Sequence, residues 1–302
     1  MADRWTLADM PTQTGKIAVV TGANRGLGYI VAEALAAKGA ETVLACRDPA
    51  KGEAAADEIA RRTPDATVHA MQLDIADLQS IRRFAADFSA RFPRLDILVN
   101  NASAVLVEKG TTADGFETHM GTNVFGTFAL TGLLLDALKA TPGARVVNTT
   151  SNAHRMTKGL VLDDLDFAKT PYIPMDAYAK SKLATLLYTY ELDRRLRKAG
   201  IAVTAVAAHP GYSNTNPDKG GFWLRIATAL VAQSGEMGAL PALYAATMPD
   251  VKGGEHYGPG GMAELRGYPA KASSAKTALD QGVAARLWEI AGERTGVHYL
   301  EG

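Results

Sequence analysis

The sequence predicts one α/β domain in which a doubly wound parallel sheet of about seven strands is covered by helices on both faces. Two observations support this prediction. Short apolar runs of strand length alternate with longer helical patterns over most of the 302 residues. No internal repeat or linker divides the chain before about residue 210, so 1–302 is predicted to be a single domain. Residues 212–302 contain more glycine and proline, and we expect loops and helices there that cover the substrate side of that domain.

Each predicted element follows from this alternation. The predicted strands are residues 16–20, 42–45, 67–73, 95–99, 144–149 and 201–207. Helices are expected at residues 27–38, 49–62 and 78–92, with longer helical stretches around 115–138 and 177–198. Gly39 closes the first helix, while Asp48 and Pro49 are the N-cap and first residue of the second.

Composition restricts the classes of partner. Lys+Arg and Asp+Glu number 32 each, so the zero net charge does not indicate nucleic acid or an anionic membrane. The single cysteine, Cys46, is typical of a reducing compartment, and we expect a cytoplasmic protein. The sequence contains no apolar run of signal-peptide type. It also contains no run of the roughly 18 apolar residues that a membrane-spanning helix needs, so no membrane anchor is expected. No metal site is predicted, because Asp163, Asp164 and Asp166 lack further ligands at suitable spacing.

A glycine-rich loop joins the first predicted strand to the first helix. Its sequence is Thr21-Gly22-Ala23-Asn24-Arg25-Gly26-Leu27-Gly28. Gly22 would permit a tight turn, Gly26 the close approach of a phosphate, and Gly28 close packing of the helix. The N–H groups and dipole of the helix N-terminus would attract a pyrophosphate. An ordinary glycine-rich turn is the alternative. The predicted dinucleotide contacts are Gly22, Asn24, Arg25, Gly26, Leu27 and Gly28.

The end of the second strand selects between NAD and NADP. An acidic side chain there would bind the ribose 2′-hydroxyl, and a basic one would bind a 2′-phosphate. Cys46 occupies the expected position of the acid, Arg47 follows it, and Arg25 lies in the glycine loop. Two guanidinium groups favour NADP, with NAD as the alternative. Beyond the third strand, Asp74 and Ile75 are predicted cofactor contacts. Asp74 could accept a hydrogen bond from the adenine amino group, or it could cap the next helix.

Tyr178 and Lys182 are the candidate proton-transfer residues. They are four residues apart on a predicted helix, so their side chains share one face. The phenol has an ordinary pKa of about 10, which a neighbouring ammonium lowers. A surface pair would show the same spacing, so the context decides. Ser151 follows a predicted strand, where its hydroxyl could orient a substrate oxygen. Thr149 and Thr150 are alternatives for that role, and Ser151 could instead be a capping residue. His154, three residues later, is expected to have a packing or hydrogen-bonding role.

In their order along the chain, these motifs resemble the short-chain dehydrogenase/reductase family over about residues 15 to 215. Finer motifs resemble the subgroup containing retinol dehydrogenases and WW-domain-linked oxidoreductases. The family motifs are Thr21-Gly22-x-x-x-Gly26-x-Gly28, Asn100-Asn101-Ala102, Asn123-x-x-Gly126, Ser151, Tyr178-x-x-x-Lys182 and Pro210-Gly211. The subgroup motifs are Ala45-Cys46-Arg47-Asp48, Ser151-Asn152-Ala153-His154, Asp163-Asp164-Leu165 and His209-Pro210-Gly211.

The resemblance implies a Rossmann-like fold and a catalytic tetrad. In that family the asparagine holds a water connected to the lysine, the serine orients the substrate oxygen, and the tyrosine transfers the proton. The lysine also bonds the nicotinamide ribose. The implied tetrad is Asn123, Ser151, Tyr178 and Lys182, and the implied further cofactor contacts are Asn100, Ala102, Pro210, Gly211 and Thr215. Ser103 stands where the family usually has glycine, so we expect the loop under the nicotinamide to differ.

The sequence therefore predicts an NADP-preferring oxidoreductase that acts reversibly on a carbonyl or alcohol group. Bulky apolar residues among glycines in 212–232 indicate a lid over a hydrophobic substrate, with an ordinary amphipathic helix as the alternative. Reduction of a carbon–carbon double bond and a non-catalytic dinucleotide sensor are the rival functions. The resemblance also implies a homodimer or homotetramer. An apolar stripe on the Tyr178 helix is predicted to be core, with a partial dimer face as the alternative: Leu183, Leu186, Leu187 and Tyr190.

Overall fold

The computed structural model describes residues 4–212, 233–261 and 263–301. Eight strands form one sheet in the order β3-β2-β1-β4-β5-β6-β7-β8. Neighbours from β3 to β7 are parallel, and β8 pairs antiparallel with β7. The strands are β1 Ile17–Thr21, β2 Glu41–Cys46, β3 Val68–Gln72, β4 Ile97–Asn100, β5 Ala144–Thr149, β6 Val203–Ala208, β7 His256–Gly261 and β8 Arg266–Lys271.

Helices cover both faces of this sheet. They are α1 Gly26–Ala37, α2 Pro49–Arg62, α3 Leu78–Arg91, α4 Thr118–Met120, α5 Gly126–Leu133, α6 Leu135–Lys139, α7 Pro174–Lys198, α8 Gly235–Thr247 and α9 Gln281–Thr295. A π-helical turn, Gly121–Phe125, joins α4 to α5, and a 3-10 turn, Asn152–Met156, follows β5. Within the described ranges, no helix has both the length and the hydropathy needed to cross a bilayer.

Alternating strand residues divide the core into two clusters. Val19 and Val43 belong to the cluster under α3, α5, α7 and α9, whereas Val20 and Leu44 belong to the cluster under α1, α2 and α8. Strands buried on both faces explain the continuous apolar runs of the sequence. The predicted doubly wound α/β fold is therefore confirmed.

The order of the strands places a crevice at the ends of β1 and β4. The chain proceeds outward from β1 to β3 and then returns to add β4 on the other side of β1. In an open α/β sheet, ligands bind at such a reversal, beyond the carboxyl ends of the strands. The glycine loop follows β1 at this point.

The sheet has one strand more than the expected seven, and both β7 and β8 lie where we expected only loops and helices. Their sequences contain glycine and proline, which are typical of edge strands and bulges and conceal an apolar strand pattern. The register between β7 and β8 shifts between Pro259 and Gly261. Helices are also present in this region, as α8 and α9.

The apolar stripe of α7 is core. Leu183, Leu186 and Leu187 are fully buried within the single chain. The Tyr190 hydroxyl forms a hydrogen bond with the Ser274 hydroxyl, 2.6 Å away. The alternative that part of this stripe forms a dimer face is therefore wrong for the three leucines.

Candidate active site

The glycine loop has the backbone geometry that its glycines permit. Gly22 and Gly26 have positive φ angles of 66° and 60°, in the left-handed region. A Cβ on Gly28 would lie 2.5 Å from both the Gly22 carbonyl oxygen and Asn101 Nδ2. The loop therefore folds back onto its own helix, and a side chain at residue 28 would push it out.

Thr21 attaches the glycine loop to the end of β4. Its Oγ1 accepts hydrogen bonds from the N–H groups of Asn101 and Ala102, at 3.0 and 2.9 Å. Asn101 Nδ2 donates to the Thr21 carbonyl at 2.9 Å. Ala102 lies beneath the loop, because a Cβ on Gly22 would be 3.1 Å from its Cα.

The N-terminus of α1 remains open to an anion. Arg25 occupies the N-cap position, and its side chain does not cap the helix. The first N–H groups of a helix have no partner within it, and together with the helix dipole they attract phosphate. The open helix end and the positive φ angles of Gly22 and Gly26 fit the pyrophosphate of a dinucleotide.

At the end of β2, the charged groups have separate roles. Cys46 is 1% exposed, and burial raises the pKa of its thiol to about 11. Asp48 accepts from the Lys51 N–H at 3.2 Å and pairs with Lys51 Nζ at 2.9 Å, so it caps α2. Arg25 and Arg47 are exposed, and neither forms an ion pair with any described residue. Two exposed cations, one in the glycine loop and one after β2, are thus available to an anionic ligand.

Beyond β3, Asp74 does not cap the next helix. Its Oδ1 accepts from the Ala76 N–H at 3.0 Å, while Asp77 caps α3. The helix-cap alternative for Asp74 is therefore wrong, and its carboxylate remains a candidate for the adenine amino group. A Cβ on Gly126 would lie 2.0 Å from the carbonyl oxygen of Ile75. The glycine of Asn123-x-x-Gly126 thus allows α5 to approach this segment.

Asn123 lies in the π-helical turn and is 3% exposed. Its Oδ1 accepts from the Ala104 N–H at 2.8 Å and from Ser103 Oγ at 3.0 Å. Its Nδ2 donates to the Ala104 carbonyl at 3.0 Å and to Ser181 Oγ at 2.9 Å. These four bonds fix the orientation of the amide. Single π-helical turns occur frequently at functional sites.

Ser151 precedes the 3-10 turn after β5 and caps it, because its Oγ accepts from the Ala153 N–H at 3.2 Å. A buried histidine holds its backbone. His154 Nδ1 donates to the Ser151 carbonyl at 2.7 Å, and His154 Nε2 accepts from the Ala275 N–H at 3.2 Å. Burial lowers the pKa of His154 to about 4, so the ring is uncharged near pH 7. Its expected hydrogen-bonding role is confirmed, and this bond positions the turn that carries the serine hydroxyl.

Tyr178 and Lys182 face the same space from α7. Lys182 Nζ is 5.7 Å from the centre of the Tyr178 ring. Burial raises the pKa of Tyr178, and a hydrogen bond with Ser151 acts in the opposite direction. Lys182 is 2% exposed, and burial lowers its pKa to about 7. Its Nζ donates to the Thr149 carbonyl at 2.9 Å and to Ser103 Oγ at 2.8 Å. A phenol and an ammonium thus meet at the end of β5.

The other implied cofactor residues differ in their positions. Asn100 is buried, and its Nδ2 donates to Asn148 Oδ1 at 2.8 Å. Its Nδ2 therefore serves an internal network, whereas its buried Oδ1 has no hydrogen-bond partner among the described residues. Pro210 and Gly211 follow β6, where Gly211 has a φ of 66°. Thr215 and residues 213–232 of the expected lid lie outside the described residues.

A buried pair next to Tyr178, His119 and Glu117, is not predicted by the sequence motifs. His119 Nδ1 donates to Glu117 Oε1 at 2.9 Å, and the His119 ring lies 6.0 Å from that of Tyr178. Burial acts to raise the pKa of Glu117, but hydrogen bonds from His119 and its backbone hold it below its usual range. No periodic pattern distinguishes these residues in the sequence. Among the described residues, no group of three or more potential ligands could hold a metal.

Comparisons with known proteins identify the family that this chain resembles. Residues 16–162 match the short chain dehydrogenase family. Retinol dehydrogenase 12 of Mus musculus is 39% identical over 94% of this chain and 88% of its own length. Polyprenol dehydrogenase of Homo sapiens is 37% identical over 95% of this chain and 87% of its own length.

Two solved structures extend the comparison. An uncharacterised protein of Mycobacterium paratuberculosis is 40% identical with a TM-score of 0.83, covering 98% of this chain and 99% of its own. The active-site complex of Pseudomonas aeruginosa RhlG with NADP is 25% identical with a TM-score of 0.66, covering 81% of this chain and 94% of its own.

Proposed function

This chain belongs to the short-chain dehydrogenase family, and on that premise we propose that it transfers hydride between NADP and the carbonyl or alcohol group of a hydrophobic small molecule. The general class, an oxidoreductase that depends on a nicotinamide cofactor, follows from the family. The observation that carries the finer proposal is the meeting of Tyr178, Ser151 and the Lys182 ammonium beside the open N-terminus of α1.

The proposed mechanism assigns the proton to Tyr178. Bound NADP would supply or accept the hydride. In reduction, the Tyr178 hydroxyl gives its proton to the substrate oxygen, and in oxidation the phenolate takes it back. The Ser151 hydroxyl donates a hydrogen bond to the same oxygen and orients it. Because burial alone raises the pKa of Tyr178, the nearby ammonium of Lys182 is needed to stabilise the phenolate.

The preference for NADP is supported by the charges at the adenosine end. Cys46 offers a buried thiol in place of a carboxylate, and Asp48 is paired with Lys51 as a helix cap. Arg25 and Arg47 remain for a 2′-phosphate, to which guanidinium groups bind with charge-assisted hydrogen bonds.

A hydrophobic substrate is supported by the side chains around the catalytic residues. Apolar side chains are exposed on the loop after Ser103, on the turn after Ser151 and at the start of α7. They are Val105, Leu106, Met156, Ile173 and Met175. Exposed apolar groups on segments that adjoin a site favour apolar ligands. The names of two relatives, retinol dehydrogenase and polyprenol dehydrogenase, also refer to apolar alcohols.

Tyr178→Phe tests the proton assignment. We expect turnover with NADPH to fall by about 10²–10⁴-fold, the usual contribution of general acid–base catalysis, while NADPH binding stays within about twofold. Turnover is measured by NADPH absorbance with a panel of apolar aldehydes and ketones. Tyr190→Phe is the matched control, because Tyr190 lies on the same helix and its hydroxyl contacts Ser274. Substantial turnover in Tyr178→Phe would contradict the assignment.

The same assay separates the rival functions. Carbonyl reduction gives an alcohol, whereas reduction of a conjugated double bond gives a saturated carbonyl, and chromatography of the product distinguishes them. A sensor would bind NADPH without turnover. The homodimer or homotetramer and the cytoplasmic location stay predictions.

A further inference from the structure

We propose that Ser103 is a positioning residue for the catalytic lysine, because its hydroxyl links Lys182 Nζ to Asn123 Oδ1 and holds the ammonium beside Tyr178. The family usually has glycine at this position, which has no hydroxyl to offer. The consequence for turnover rests on the proposed function, but the link itself is a property of the chain alone.

The direction of every hydrogen bond around Ser103 is determined. Ser181 Oγ donates to the Tyr178 carbonyl at 2.8 Å, so it accepts from Asn123 Nδ2 at 2.9 Å. The Asn123 amide is thereby oriented with its Oδ1 towards Ser103 Oγ, 3.0 Å away.

Ser103 gives its one hydroxyl proton to Asn123, since the alternative acceptor, the Ala104 carbonyl, is farther at 3.4 Å. The hydroxyl oxygen can then only accept a hydrogen bond, and it accepts one from Lys182 Nζ at 2.8 Å. A hydroxyl oriented in this way stabilises the charged form of the lysine.

Few other groups stabilise that charge. Burial is the only cause that lowers the pKa of Lys182, and no described carboxylate acts on it. The titratable side chain that faces Lys182 is Tyr178, with His119 behind it. Within the described parts of the chain, the oxygen atoms that hold the ammonium are therefore Ser103 Oγ and the Thr149 carbonyl. Removing one of two acceptors should move the titration of Lys182 to lower pH.

Three substitutions separate this role from simple packing. Ser103→Ala removes the hydroxyl but leaves a methyl group, so less room opens than a water molecule needs. Ser103→Gly removes the whole side chain and admits a water that can restore the link. Ser103→Thr keeps the hydroxyl. We expect Ser103→Gly and Ser103→Thr to resemble the original protein and Ser103→Ala to be the most impaired. A packing role would instead make Ser103→Gly worse than Ser103→Ala.

The first measurement needs neither cofactor nor substrate. The full chain labelled with [ε-¹³C]lysine is titrated by NMR, and the Lys182 resonance is assigned by its loss in Lys182→Arg. We expect the midpoint in Ser103→Ala to move down by about one pH unit, since a hydrogen bond to a charged group is worth about that much. Circular dichroism verifies that each variant is folded. The proposal would be overturned if the midpoint of folded Ser103→Ala equalled that of the original protein. It would also be overturned if the midpoint of Ser103→Gly were lower than that of Ser103→Ala.

The second measurement is the pH profile of carbonyl reduction. In Ser103→Ala we expect the alkaline limb of kcat to move to lower pH, because the ammonium is lost earlier. At pH 8, kcat should fall about tenfold with little change in KM for the substrate. A moved NMR midpoint without turnover of any carbonyl compound supports the link but counts against the proposed function. Turnover that depends on Tyr178, with an unmoved midpoint, supports the proposed function but overturns the link.

Discussion

At the scale of single residues, the crevice is characterised by cations that no carboxylate of the described residues neutralises. Lys182 is buried, and its ammonium donates to oxygen atoms of two neutral groups. Arg25 and Arg47 form no ion pair within the described parts of the chain. Asp48, by contrast, is already paired with Lys51. A bound anion or phenolate would therefore find uncompensated positive charge in this crevice.

Arg47→Ala should reduce the preference for NADPH. Loss of a charge-assisted interaction with a 2′-phosphate costs about 1.5–3 kcal/mol, so we expect NADPH to bind roughly 10- to 100-fold more weakly. NADH has no such phosphate, and its affinity should change by less than about twofold. Fluorescence titration gives both affinities. In thermal unfolding of the original protein, NADPH should raise Tm more than NADH does at equal concentration.

Arg61→Ala is the matched control for that change. Arg61 is also exposed and lies near the other end of α2, roughly 18 Å from its start. It should leave the affinities for NADPH and NADH unchanged. Equal losses of both affinities in Arg47→Ala would show that Arg47 does not select between the cofactors.

The sequence was informative about residue identity and less so about side-chain direction. Spacing and motif order were enough to select Tyr178, Lys182 and Ser151. The hydrogen bonds of Ser103 could not be predicted, because Lys182 is 79 positions away in the chain. The internal orientation of Asn100 depends on Asn148, 48 positions away. Such contacts arise only when separate strands and helices pack.

At the scale of elements, the approach of α5 to the segment after β3 connects the two ends of the crevice. Gly126 is the first residue of α5 and directly follows the π-helical turn that carries Asn123. The carbonyl of Ile75, next to Asp74, occupies the space that a Cβ on Gly126 would need. The proposed catalytic end and the proposed adenine-binding end of the site thus share one packing contact.

Gly126→Ala should disturb both ends. Because the new Cβ would lie 2.0 Å from the Ile75 carbonyl oxygen, the backbone must shift. We expect the free energy of unfolding to fall by about 1–3 kcal/mol or more, and NADPH binding to weaken. Urea unfolding followed by circular dichroism measures the first effect.

Gly282→Ala is the control for Gly126→Ala, since Gly282 is exposed in the first turn of α9 and the nearest atom to its Cβ would be at 3.4 Å. Alanine is the better helix former, so this change should be neutral or slightly stabilising. Similar stability losses in the two variants would contradict the close contact with Ile75.

Element boundaries were predictable where local signals are strong. The range Pro49–Arg62 is the same in the prediction and the structure, because Asp48 and Pro49 mark its start. The pair β7–β8 was not predicted, since an edge hairpin with Pro259 and Pro269 lacks the apolar pattern of a buried strand. The π-helical turn has no sequence signal that we can identify.

At the scale of the whole molecule, the C-terminal segment completes the core on one face of the sheet. Tyr299 is buried, with its ring 4.8 Å from that of Phe128 and 4.7 Å from that of Trp288. Its hydroxyl lies 3.2 Å from that of Tyr188 on α7. Tyr299 is thus packed against α5, α7 and α9, and α7 also carries Tyr178 and Lys182.

Tyr299→Ala therefore tests whether residues 1–302 unfold as a single domain. Replacing a large buried aromatic residue by alanine costs about 3–5 kcal/mol, and we expect that loss in the free energy of unfolding. His298→Ala, at an exposed neighbouring position, should cost less than about 0.5 kcal/mol. Urea unfolding is followed by far-UV circular dichroism, by tryptophan fluorescence and by retained NADPH binding. Because α7 joins this aromatic cluster to the catalytic residues, the three transitions should move together to lower urea concentration. The fluorescence and circular dichroism midpoints could instead shift while the midpoint for NADPH binding stays unchanged. That result would indicate two independently folding units.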